Sequence, residues 1–524
     1  MPGTGDPLQR ALRSRAAELR GERAVEDGGS GTTRRELLVR GAGVTAGAAL
    51  AMGTGGLASA SARERRAHRR QQARTGSRVV VVGAGLAGLT CAYRLHKNGV
   101  DAQVFEARED RLGGRCWTVR GFENDQVAEH GGEFVDTRHV HLRRIVEALG
   151  LELEDRRTGE PPDDAESPLW LNGRLRERGE VFGGFDKLFK RLKRDYDRVG
   201  DYHYDKASRA AREFDEMTVL EWLDANVHDR LLREAVDIGI SGFFGIDGSA
   251  MSAINLFEAY VAPYPGANER YHVHGGNDLV PQGLADALDE GAIQLATPLE
   301  AMRRRSDRSY ALHFGGVSDP VIADRVVLAL PFTTLRDVDL SGARLSRKRR
   351  ESIEQLGMGT NSKNHFQLEK RPYEIGKWSG GMTMDSPARQ SSWESTEGQE
   401  GPTGVITIWR GGRSGASYPT DVPHQWAPEP IIDAGLAAFE RGVPGLTDAY
   451  NGLSWLDSWV DDPWVHGSYA GFLPGQYTRY WGYLGKPEGG VHFAGEHTST
   501  HSQGYLNGGV ESGMRAATEV LESL

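Results

Sequence analysis

Apolar positions along the chain follow two periods. Val79 to Val82 is an unbroken apolar run, which predicts a strand buried on both faces. From Leu86 to Lys97 the apolar residues Ala87, Cys91 and Leu95 return at helical spacing, and Gly99 offers the stop. Ala102 to Phe105 predicts a second strand, and Asp136 to Leu149 an amphipathic helix with Leu142, Ile145, Val146 and Leu149 on one face. Residues 155–265 read as largely helical, including Phe185 to Val199 and a helix capped by Thr218. Tyr271 to Leu340 returns to α/β character, with Val326 to Leu330 as a buried strand before Pro331. Residues 346–465 are mixed and rich in aromatics, and the last 60 are rich in glycine. This alternation predicts an α/β fold of two interwoven domains.

Gly83-Ala84-Gly85-Leu86-Ala87-Gly88 joins the first strand to the first of these helices. In such a turn Gly83 lets the chain reverse, Gly85 lets the backbone approach a pyrophosphate, and Gly88 lets the helix pack close to the strand. The helix start, at Leu86 and Ala87, turns free N–H groups and a partial positive charge toward the phosphates. Glu106, closing the second strand beside Ala107 and Arg108, can accept both ribose hydroxyls of an adenosine. Arg111-Leu112-Gly113-Gly114-Arg115 then resembles the second flavin signature of glutathione-reductase-like FAD proteins, where glycines pass beside the diphosphate and an arginine neutralises it.

Met1 to Ser30 is polar and lacks periodicity, so it is expected to be disordered. Thr33-Arg34-Arg35-Glu36-Leu37-Leu38 and a weakly apolar Gly/Ala-rich stretch follow, closing in Ala58-Ser59-Ala60-Ser61-Ala62. Together these resemble a twin-arginine export signal, cleaved after Ala60 or Ala62 or kept as an anchor. Residues 1–62 are thus a disordered lead plus signal, residues 63–77 a basic linker, and the body an exported extracellular or periplasmic protein.

With 524 residues the chain exceeds one core, and 38% hydrophobic with 26% charged residues suits a soluble globular protein. No strongly apolar run is long enough for stable membrane insertion. Residues 1–62 carry 8 basic and 6 acidic residues, which leaves 55 against 67 and a net charge of −12 for the rest. An acidic body disfavours nucleic acid and mildly favours cationic small substrates. Only Cys91 and Cys116 occur, so no disulfide framework is expected. His130, His497 and His501 lack metal-ligand spacing and read as hydrogen-bonded structure, with no metal site expected.

The strongest late motif is Val491-His492-Phe493-Ala494-Gly495-Glu496-His497-Thr498, followed by Gly504-Tyr505-Leu506-Asn507-Gly508-Gly509. With the earlier glycine turns it resembles the flavin-containing monoamine oxidase family, which includes polyamine and L-amino-acid oxidases, from Arg78 to Leu524. The resemblance implies an FAD-binding Rossmann-like domain of glutathione-reductase type (78–154, 266–345, 466–524) interwoven with an α+β substrate-binding domain (155–265, 346–465). It implies that Gly495, Glu496, Gly504, Tyr505 and Leu506 meet the flavin, with Glu496 on the ribityl or phosphate-linked hydroxyls. Glu129-His130-Gly131-Gly132 resembles the family's acid-x-Gly-Gly element near the flavin, and Glu133 stands where other members differ. Lys363 resembles the lysine that holds a water against flavin N5, and Tyr469 and Tyr505 the two tyrosines that flank the amine. Tyr373 follows Pro372 where the family often has a Trp, and Ser468 stands where some members carry a flavin-bonding cysteine, so noncovalent FAD is expected.

The chemistry implied is oxidation of an amine C–N bond by hydride transfer to flavin N5. Dioxygen is the acceptor, and hydrogen peroxide, a carbonyl and ammonia or an amine are the products. An L-amino-acid oxidase is the nearest rival and needs an arginine clamp for the substrate carboxylate; Arg138 and Arg410 are available, but no motif places them. A carotenoid-desaturase-like enzyme and a non-catalytic flavin-fold protein are more distant rivals. Oligomeric state stays open, a homodimer included.

Overall fold

A computed structural model describes residues 7–21, 76, 78–418 and 420–524. The arginine pair, the small-residue run and nearly all of the basic linker lie outside the described residues. The first described element corrects an expectation: residues 7–20, read as disordered, form a helix, α1 (Pro7–Arg20). Its Leu8, Leu12 and Ala16 recur every fourth residue and are all buried. They pack on the helices Phe185–Val199, Arg230–Phe244 and Ile254–Tyr260. Tyr260 Oη donates to Gln9 Oε1 at 2.7 Å, and Arg15 pairs with Asp186. The stripe is narrow and diluted by arginines, and only its tertiary partners make it a helix face.

β1 (Val79–Val82) is the middle of a five-stranded parallel sheet. It lies between Arg325–Leu328 and Ala102–Phe105, with Val491–Phe493 and Ile293–Gln294 outside. All four valines are buried, because helices cover both faces of a parallel sheet. α2 (Leu86–His96) follows β1 and packs along the C-terminal helix Leu506–Ser523. At Gly513 a Cβ would stand 2.3 Å from the Ala87 carbonyl oxygen, so the two helices meet backbone to backbone.

The second sheet has eight strands, ordered His424–Trp426, Tyr450–Ser458, Ser362–Leu368, Gly404–Arg410, Gln390–Glu394, Met382–Met384, Leu169–Leu171, Arg174–Arg176. Its last two strands come from the stretch read as largely helical. Asn172 and Gly173, with φ of +53° and +75°, make the tight hairpin turn between them. Elsewhere the helix Phe185–Val199 has the predicted bounds, and Thr218 forms a capping box with Glu221 at Val219–Asn226. Cys91 and Cys116 are free and buried. Among the described residues no helix is long and apolar enough to cross a membrane.

Candidate active site

A cavity extends from the β1–α2 turn to the large sheet. Of the residues expected to bind the cofactor or act in catalysis, all but Gly88 and Ala107 line it. Gly88 acts through packing: a Cβ there would lie 1.9 Å from the Gly83 carbonyl oxygen. Gly83 itself has a φ of +99°, which lets the chain reverse. Glu106 accepts from the Ala84 N–H at 2.7 Å and the Arg108 N–H at 3.0 Å, so it shapes the turn it was expected to serve. α2 has no side-chain cap at Gly85. Its first-turn N–H groups therefore meet the cavity without a capping acceptor, as anion binding requires.

Arg115 joins the early and late motifs. Its Nη1 donates to Glu496 Oε1 at 3.0 Å and to the Ser468 carbonyl at 2.6 Å. Glu496 also accepts from the N–H groups of Ala470 (3.1 Å) and Gly504 (2.8 Å), so it braces the floor of the cavity as well as facing it. Ser468 Oγ donates to Asn361 Oδ1 at 2.6 Å. An uncapped helix start, close-packed glycine turns and flanking arginines fit an FAD.

At the other end the cavity meets the large sheet. Lys363 and Trp409 are paired across neighbouring strands, and Trp393 lies one strand further on. Lys363 Nζ donates to the carbonyls of Glu129 (2.7 Å) and Gly131 (2.9 Å) and to Glu133 Oε2 (2.7 Å). An ammonium has three N–H donors, so each has a protein acceptor and none is left for a water. Burial opposes ionisation of Glu133, but Lys363, His272 and the Trp393 N–H outweigh it and hold the carboxyl at about 2. Trp393 Nε1 donates to Glu133 Oε1 at 3.0 Å. Burial pushes the Tyr469 and Tyr505 phenols well above their ordinary range. Tyr469 Oη donates to the Phe243 carbonyl at 2.7 Å, and the Tyr505 ring meets His139 edge-on at 4.7 Å.

Phe134, Trp393 and Trp409 complete this aromatic wall and carry no motif. The signal for Trp393 and Trp409 was the aromatic richness of residues 346–465, which only strand register converts into a site, whereas Phe134 follows the Glu129–Glu133 element directly. Tyr373 lies elsewhere, bonded to Asp164. Neither candidate carboxylate clamp lines the cavity: Arg410 donates to Gln390 and Arg138 stacks on Tyr264.

On the strand beside that of Lys363, Asp457 Oδ1 lies 2.7 Å from both His130 Nδ1 and His424 Nδ1, and His424 Nε2 lies 2.9 Å from Asp462. These groups are close enough for a metal, yet the same ring nitrogens are engaged with carboxylates. Burial holds His130 neutral, down to about 4, whereas the two aspartates outweigh burial at His424 and raise it. His497 stays neutral through burial, and His501 bonds Glu511.

A parallel sheet with a glycine cradle thus opens into an aromatic chamber on a second sheet. The sequence profile of the flavin containing amine oxidoreductases matches residues 86–521, and the chain belongs to that family. A pseudooxynicotine dehydrogenase of Pseudomonas sp is 26% identical over 94% of this chain and 96% of its own length. The flavin-containing amine oxidase A of Sus scrofa is 24% identical over 85% of each. The structure of cyclohexylamine oxidase from Brevibacterium oxydans IH-35A superposes with a TM-score of 0.74, at 22% identity, over 85% of this chain and 99% of that one. The family implies a flavin cofactor and an enzyme acting on small amines.

Proposed function

We propose that the protein is an FAD-dependent amine oxidase that oxidises the C–N bond of an amine by hydride transfer to flavin N5, with dioxygen as acceptor and with noncovalently held FAD. The observation that carries this reading is the chamber formed by Tyr469, Tyr505, Trp393, Trp409 and Phe134, which ends at the Lys363–Glu133 pair. FAD, when bound, supplies the two-electron acceptor; an amine, dioxygen and water give a carbonyl, ammonia or a smaller amine, and hydrogen peroxide. The aromatic faces exclude water and orient the substrate, and their desolvation lowers the amine pKa so that the neutral form reacts. Lys363 contributes a fixed charge rather than a free donor. Ser468, lacking a thiol, supports noncovalent attachment. The absence of Arg138 and Arg410 from the cavity wall favours amines over L-amino acids. The sequence around Arg34-Arg35 supports export by the twin-arginine route as a folded, loaded protein.

The test is peroxide release by the purified yellow protein across aromatic monoamines, diamines, polyamines and L-amino acids. Turnover with amines is expected. Turnover confined to carboxylate-bearing substrates would transfer the assignment to the L-amino-acid oxidases.

A further inference from the structure

The helix Arg230–Phe244 ends against the chamber, and its last carbonyls anchor two of the wall aromatics. An α-helix leaves its final four C=O groups without intrahelical partners, each with partial negative charge. This helix stops at Gly245, whose φ of +68° ends the spiral. The Gly242 carbonyl accepts from Trp409 Nε1 at 3.0 Å and from Asn361 Nδ2 at 2.9 Å. The next carbonyl, that of Phe243, accepts from Tyr469 Oη at 2.7 Å. Asn361 Oδ1 takes the Ser468 hydroxyl at 2.6 Å, which ties the residue before Tyr469 to the same helix end. Two consecutive carbonyls thus fix wall rings that come from separate segments of the chain.

That helix is in turn braced by α1. Gly239 lies one turn before Gly242 and Phe243, and a Cβ there would stand 2.8 Å from Gln9 Oε1, so the two helices approach closely at this point. The Arg13 guanidinium lies 5.2 Å from the centroid of the Phe243 ring. The buried Leu8, Leu12 and Ala16 and the bond from Tyr260 to Gln9 hold α1 in place. α1 also borders the strand Gln390–Glu394, which carries Trp393. Residues 7–20 precede the matched family region, so this brace is additional to what the family profile covers.

We propose that α1 is a positioning element for the substrate: by bracing the helix Arg230–Phe244 it fixes the carbonyls of Gly242 and Phe243, and through them the spacing of Trp409 and Tyr469 in the chamber. The inference rests on the amine-oxidation reading, which makes the chamber the substrate site. It concerns the unprocessed chain, because cleavage after Ala60 or Ala62 would detach α1. With α1 undocked the helix end gains freedom and the two rings lose their common anchor. Binding shared by substrate and transition state then weakens, which raises KM and leaves kcat nearly as it was.

Leu12→Asp in the full-length holoenzyme puts a charge into the buried stripe and undocks α1. The KM for benzylamine should rise about tenfold with kcat within about twofold. Leu12→Ala, a milder cut in the same stripe, should give an intermediate KM, and the volume-conserving Leu12→Met the wild-type value. Trp409→Phe keeps a ring and removes the N–H bonded to Gly242; it should raise KM as well, and adding Leu12→Asp should then cost little more, because both act through one anchor. An unchanged KM in Leu12→Asp and Leu12→Ala, or effects that multiply in the double variant, would overturn the proposal. The near-ultraviolet circular dichroism of the tryptophans reports the wall whether or not any amine turns over. Leu12→Asp should alter it, and most of that change should vanish in a Trp409→Phe background; a change that persists there would also overturn the proposal. If no amine reduces the flavin, the amine-oxidation reading fails, while the dichroism still decides the brace.

Discussion

Lys363 Nζ and Glu133 Oε2 lie 2.7 Å apart, buried in the chamber wall, and the remaining two lysine donors close on backbone carbonyls. Removing one partner of such a pair strands the other charge without solvent, which costs roughly 3–5 kcal/mol. Lys363→Met should therefore lower the thermal midpoint sharply, and adding Glu133→Gln should restore much of it. Two independent, additive losses in that double-mutant cycle would show that the pair is not coupled.

In the oxidase reaction proposed above, the same pair would set the charge that dioxygen meets. Glu133 offsets the lysine, so Glu133→Gln should leave an uncompensated cation and speed reoxidation of reduced flavin by about tenfold, with Lys363→Met slowing it comparably. Stopped-flow mixing of photoreduced enzyme with oxygenated buffer measures both. A Lys363→Met variant that reoxidises at the wild-type rate would remove the lysine from the oxygen reaction.

Local pattern made the nucleotide end legible: the unbroken valines, the glycine turn and Glu106 lie within a short stretch, and their roles follow from backbone geometry. The chamber was only half legible. Lys363, Tyr469 and Tyr505 were found by resemblance, but Trp393 and Trp409 reach the site through the register of strands far apart in sequence, which no local spacing encodes. Glu133 was noticed as a departure without a role, because its role is a contact with Lys363, 230 residues away. α1 was missed because its narrow stripe lies among arginines and acquires meaning only from the helices it covers.

Gly88→Ala should abolish retention of FAD. The added carbon would meet the Gly83 carbonyl at 1.9 Å, so α2 must move away from β1 and spoil the phosphate turn. The ratio of flavin to protein absorbance after gel filtration reports this. A fully yellow variant would mean that the turn tolerates the shift.

His424 gives a pH signature. Burial alone would lower its pKa, but hydrogen bonds to Asp457 and Asp462 outweigh this and raise it above the unfolded value of about 6.5. A raised folded pKa stabilises fully below the unfolded value, and the benefit is lost as pH rises through the folded one. The gap in thermal midpoint between wild type and His424→Gln should shrink as pH rises across that window. A gap that widens would reverse the assigned charge.

Ser468, hydrogen-bonded to Asn361, offers no thiol to the flavin. Denaturation followed by ultrafiltration should release the whole flavin content, with unmodified protein mass. Flavin retained on the polypeptide would show a covalent link elsewhere.

Amine oxidation itself is tested most directly in the absence of oxygen, by mixing the oxidised holoenzyme with each candidate substrate and following the visible flavin band. Bleaching by amines, with L-amino acids inert, is the expected result. Bleaching by L-amino acids alone, or by no substrate despite bound FAD, would contradict it.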